Sequence, residues 1–126
     1  MKIFLDTSSL IKLYHNEIGT DILDKIFEEY VVEEIFLSDI AKVEFTSAIW
    51  KKVRTKDLTP DEATDIIDSF CDDYDKYTFV EVDSELISIA RDLVMKYGFK
   101  GLRTLDSFQL ASIIEVKKRI VFCCYC

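Results

Sequence analysis

The sequence predicts an α/β protein in three layers, with a central parallel sheet covered by helices on both faces. Two observations lead there. The strand-like segments are short, apolar and mostly without inside-out alternation, and long helical stretches, usually in pairs, separate them. Crossovers of that length join parallel neighbours, and right-handed connections dress both faces of the sheet. The 126 residues are 49% apolar, enough for one domain over 1–126 with its own core. Three Gly and one Pro leave no stretch that reads as a linker, and no internal repeat is visible.

Taken in order, Lys2 to Leu5 reads as a buried strand, and the side-chain oxygens of Asp6-Thr7-Ser8-Ser9 suit the cap of a helix starting near Ser9. A second helix follows Gly19. Glu33 to Ser38 is the second strand, after which Ser38 or Asp39 opens a helix running towards Thr55. Thr59, Pro60 and Glu62 spell a capping box with proline at the first helical position, and the stripe that follows is Ala63, Ile66, Ile67, Phe70, Cys71 and Tyr74. Thr78 to Val82 is the third strand. Asp83 caps a helix with Leu86, Ile89, Ala90, Leu93, Val94 and Tyr97 inward. Arg103 to Lys118 is the last helix, with Phe108, Leu110, Ala111 and Ile114 on its face, and Ile120 to Tyr125 is the final strand.

The net charge of −8 argues against phosphate binding by cationic side chains, unless some carboxylates hold a divalent ion that reverses the local field. No secretory signal is visible at the N-terminus, and the longest apolar run, Ile120 to Cys126, is too short to span a bilayer. A cytoplasmic protein without a membrane partner is expected. Three of the four cysteines crowd into the last strand, where neighbours point to opposite faces, so reduced thiols are expected. Zinc would need a second close ligand pair, and the only histidine, His15, is far away in sequence and reads as a surface residue.

Open parallel sheets bind ligands beyond the carboxyl ends of their strands, where Asp6 sits, and two further acids lie at other element ends. Asp6 follows the first strand and could equally cap the next helix. Glu44 shares its helix face with Ile40, Ser47 and Ala48, so an inward carboxylate there needs a buried Lys or Arg or a cation, unless it reaches water. Asp106 lies in the first turn of the last helix, where the dipole alone favours it. Each has a structural explanation taken singly; together they suggest a hard-oxygen metal site.

The segments DTSSLIKLYHNEIG, SDIAKVEFTSAI and GLRTLDSFQLASI resemble the three motifs of PIN domains, and compact size and motif wording are most similar to VapC-type toxins of toxin-antitoxin systems. The resemblance covers nearly the whole chain. It implies a Mg²⁺- or Mn²⁺-dependent endoribonuclease that hydrolyses RNA phosphodiester bonds, leaving 5′-phosphate and 3′-hydroxyl ends. Asp6, Glu44 and Asp106 would be the catalytic, metal-binding acids, with Thr7 and Ser8 supporting Asp6. Lys100 and Arg103, just before Asp106, would contact RNA. Lys51, Lys52, Arg54 and Lys56, which end the Glu44 helix, could also steer RNA backbone, although the dipole alone favours cations there. A cognate antitoxin and a homodimer are the implied partners, using residues such as Leu13, Tyr14, Ile26, Phe27 and Tyr30.

The chain departs from the family pattern at its end. The usual fourth acid is replaced near Cys126 by FCCYC, and the closing helix and edge strand are absent, so the resemblance reads a C-terminally truncated domain. This keeps a second reading open, a non-catalytic PIN-like module that binds RNA or protein. A phosphohydrolase using Asp6 as nucleophile, of the haloacid dehalogenase type, would want a second Asp where Ser8 stands.

Overall fold

Period-two alternation along the first strand decides which helices cover which face of the sheet. The structure, a computed structural model, describes residues 1–118 and the backbone of 123–125. Strand β1 spans Lys2–Leu5, and two helices, α1 (Thr7–Lys12) and α2 (Thr20–Glu29), lead to β2 (Glu34–Ser38). Helices α3 (Ala41–Arg54) and α4 (Pro60–Asp72) lead to β3 (Thr78–Val80), and α5 (Ser84–Tyr97) and α6 (Thr104–Lys117) lead to β4 (Cys123–Tyr125). All pairings are parallel, in the order β3-β2-β1-β4.

Ile3, Leu5 and Leu37 point to one face, where they join a core with residues of α1 to α4. Phe4, Phe36 and Val80 point to the other and pack against α5 and α6. Handedness explains the division. From β1 to β3 the chain steps one way across the sheet; from β3 to β4 it returns past β2 and β1, and right-handed crossovers in opposite directions lie on opposite faces. The direction reverses beside β1, so the crevice at the end of β1 is the topological switch point where open α/β sheets bind ligands.

Tyr14, just after α1, ties the end of that helix to α3 and α4. Its ring packs edge-on against Phe45 of α3 at 5.5 Å and Phe70 of α4 at 5.7 Å. Its hydroxyl donates to Asp73 at 2.8 Å and shares a short hydrogen bond with Tyr77. Burial, and then these partners, push the phenol far above its ordinary range, so it stays a donor wherever the protein is folded.

Several boundaries and faces differ from the sequence expectation. Helix α1 begins at Thr7 because Asp6 itself is the cap, its carboxylate accepting from Ser9 N–H. Helix α3 opens at Ala41 without a side-chain cap: Ser38 still pairs with Val80 in the sheet and Asp39 N–H bonds Val80 O at 3.0 Å, which keeps both residues out of the helix. The third strand stops at Val80. Cys71 is exposed rather than part of the α4 stripe. On α6 the inward face is Ser107, Gln109, Ala111, Ser112 and Val116, while Leu110 and Ile114 are 40% and 36% exposed. Apolar residues surround that helix, so its periodicity could not select a face. The expected start of the last strand at Ile120 and the position of Cys126 lie outside the described residues.

Candidate active site

Asp6 is carried just beyond the carboxyl end of β1, where the strand's burial gives way to a half-buried position. Its Oδ1 accepts from Ser9 N–H and from Ser8 Oγ, both at 3.0 Å. One oxygen therefore serves the helix, and Oδ2 meets no donor among the described residues. The cap and ligand readings of Asp6 are compatible because each needs a different oxygen.

Glu44 lies in the first turn of α3 and is half-buried. Of the partners expected for an inward carboxylate, no Lys or Arg among the described residues pairs with it. Neutral donors take that place: Thr7 Oγ1 donates to Glu44 Oε1 at 2.9 Å and Gln109 Nε2 donates to the same oxygen at 2.8 Å. Gln109 Nε2 also reaches Thr7 Oγ1 at 3.1 Å. Thr7 thus supports Glu44, not Asp6, because its place in the first turn of α1 sets its hydroxyl opposite α3. Ser8 does support Asp6.

Gln109 is the residue that sequence reasoning missed. It is 9% exposed on the inward face of α6, where an amide needs partners. An ionised carboxylate accepts only, so the amide must turn its NH₂ to Glu44, and this leaves Gln109 Oε1 buried without a donor. Its signal was an amide three residues after Asp106 among apolar and small residues, obscured by taking Leu110 and Ile114 as the inner face.

Asp106, exposed in the first turn of α6, completes the group. Helix α6 runs back against the strands, so its N-terminus arrives at the edge where β1 and β2 end. Asp6, Glu44 and Asp106 line one cleft of about 290 Å³ together with Thr7, Ser8, Gln109, Ile11 and Ala48. No Lys or Arg lines it. Among the described residues, no three His, Cys, Asp or Glu side chains are drawn together closely enough to hold an ion as they stand. The acids share a wall without forming a closed coordination shell. His15 is half-buried and does not line this cleft. Neither do Lys100, whose ammonium lies 5.7 Å from the Phe99 ring centre, or Arg103, the exposed residue before α6.

The donor set suits a hard divalent cation. All three acids offer oxygen, Glu44 Oε2 and both oxygens of Asp106 join Asp6 Oδ2 in having no donor among the described residues, and no cationic side chain offsets their charge.

Residues 3–122 match the model of the PIN domain, and the chain belongs to that family. Two solved structures share its fold. One is VapC20 of Mycobacterium tuberculosis, a sarcin-ricin loop cleaving toxin, at 13% identity and a TM-score of 0.70, covering 91% of this chain and 83% of that one. The other is VapBC2 of Rickettsia felis bound to a DNA fragment from its promoter, at 16% identity and a TM-score of 0.56, covering 100% of each chain. No protein with a curated description matches the chain by sequence. No described helix is long and apolar enough to cross a membrane.

Removing the amide should expose how much Glu44 depends on it. Gln109→Leu keeps the bulk and deletes a hydrogen bond to a half-buried carboxylate, so urea unfolding at neutral pH should show a loss of about 1–3 kcal/mol. Leu110→Gln, one residue away on the exposed side, should change stability by less than about 0.5 kcal/mol. Equal stability of Gln109→Leu and the parent would contradict the role given to this amide.

Proposed function

We propose that this PIN domain is a Mg²⁺- or Mn²⁺-dependent endoribonuclease and acts as the toxin of a toxin-antitoxin pair. The observation that carries the reading is the convergence of Asp6, Glu44 and Asp106, from three separate helices' beginnings, on one cleft with no cationic side chain in its wall. Membership of the PIN family and a fold shared with VapC toxins support it.

Asp6, Glu44 and Asp106 would hold the ion. Bound there, a divalent cation lowers the pKa of water and withdraws charge from a phosphodiester. The chain's own contribution is to fix the ligands. Asp6 is held through Oδ1 by Ser8 and Ser9, which presents Oδ2. Glu44 is held through Oε1 by Thr7 and Gln109, which presents Oε2. Asp106, exposed in the first turn of α6, would complete the ligand set of the cleft. Attack by water leaves a 5′-phosphate and a 3′-hydroxyl. Arg103 and Lys100, on the approach to α6, are candidate contacts for the RNA backbone.

A protein partner is part of the same reading. On and beside α2 the side chains of Ile18, Ile22, Tyr30 and Val31 are 99%, 55%, 52% and 82% exposed, whereas Leu13, Tyr14 and Phe27 are packed against the core. An antitoxin segment or a second copy of the chain would cover such apolar surface. Light scattering should show a dimer at high concentration, or a complex when the neighbouring open reading frame is co-expressed. A strict monomer that binds no such product would refute the partner assignment.

For catalysis the test is cleavage of a mixed RNA pool in Mg²⁺ or Mn²⁺ against EDTA. Asp6→Asn and Asp106→Asn should lose at least about 100-fold in rate while keeping the fold, since they delete charge and preserve shape. Glu44→Gln should lose activity likewise. Cleavage that persists in EDTA, or survives loss of both aspartates, would overturn the mechanism.

A further inference from the structure

Two grooves open from the acid cleft along α3, and they differ in charge. Ala48 lines the acid cleft and both grooves, so the three form one depression. The first groove, about 490 Å³, runs between α3 and the start of α6; Ile40, Val43 and Leu105 supply its apolar wall, and Lys51 and Arg54 its far end. Its only acid is Glu44, which belongs to the acid cleft. The second, about 350 Å³, also reaches Lys51 but contains Glu17 and Asp57, and its Lys52 is already paired with Glu17.

We infer that the first groove is the track for a single-stranded RNA segment leaving the acid cleft, with Lys51 and Arg54 as its phosphate contacts; this rests on the nuclease reading above. Spacing on the helix supports it. Glu44, Ala48 and Lys51 follow one another at i, i+4 and i+7, so they lie on one face, with Lys51 about 10 Å and Arg54 about 15 Å along the axis from Glu44. These two exposed cations make no ion pair with any described residue, whereas Lys52, the cation between them, is held by Glu17 and half-buried.

Charge and shape select the occupant. A chain of net charge −8 repels a polyanion over most of its surface, so unpaired cations beside the acid cleft are where a phosphate can be held. Val43 and Leu105 are 72% and 50% exposed, so an unpaired segment whose phosphates meet the cationic edge can bury the apolar faces of its bases against this aliphatic wall. At about 490 Å³ the groove has the scale of a few unpaired nucleotide units. The favourable interaction of cations with the C-terminus of α3 explains why Lys51 and Arg54 are tolerated there; it does not explain their lining the groove that begins at Glu44.

The test is fluorescence anisotropy of a labelled, unstructured RNA over a salt series, beside steady-state cleavage in Mn²⁺. Lys51→Gln with Arg54→Gln should lower the slope of log affinity against log salt by about 1.4, at about 0.7 per phosphate on a single strand. It should raise KM at least about tenfold with kcat nearly retained. Mn²⁺ affinity by calorimetry and Tm should not change. Lys51→Arg with Arg54→Lys should restore the slope, Lys52→Gln should leave it unaltered, and a duplex of the same sequence should not compete. An unchanged slope in the double variant, equal competition by duplex, or a parent protein that does not bind the RNA overturns the track. A parent that binds with this slope yet never cleaves would overturn the nuclease reading and leave the track standing.

Discussion

A half-buried carboxylate with only neutral donors ties this molecule together. Glu44 Oε1 accepts from Thr7 of α1 and from Gln109 of α6, so one oxygen joins helices from both layers at the end of the sheet. Each donor is the one its position permits: Thr7 because Asp6 caps α1 and starts the helix one residue later, Gln109 because α6 turns a polar face inward. Both donors bind the same oxygen, so the second oxygen of Glu44 is left for something outside the chain.

Geometry upstream of that contact makes it available. Parallel order β3-β2-β1-β4 places the chain reversal beside β1, and right-handed crossovers deliver α1 and α3 to one face and α6 to the other. Helices that follow β1 and β2 begin at the carboxyl edge, and so does α6, which leads back towards β4. Three first turns therefore meet, each with an acid in or before it. The aromatic contacts of Tyr14 with Phe45 and Phe70 hold the end of α1 against α3 and α4 behind the cleft.

Much of this was legible in the residues. Apolar strands separated by helix pairs gave the layers, Thr59-Pro60-Glu62 located the start of α4 with both reciprocal capping bonds formed, and the three acids were recognisable from motifs at element ends. What escaped reading depended on contacts between distant segments. Ser38 and Asp39 look like helix caps, yet pairing with β3 holds them extended. Thr7 is adjacent to Asp6 in sequence and belongs to Glu44 in space. Gln109 was hidden because a helix with apolar residues all round does not declare its inner face, and Lys51 stands apart from Lys52 only once Glu17 is seen to occupy the latter.

Anomalous diffraction from crystals grown with Mn²⁺ tests most directly the proposal that the acid cleft holds a divalent cation. A Mn²⁺ peak is expected in the cleft bounded by Asp6, Glu44 and Asp106, with the Thr7 and Gln109 bonds to Glu44 Oε1 intact. A saturated crystal with no peak in that cleft, or with Mn²⁺ bound only elsewhere, would contradict it.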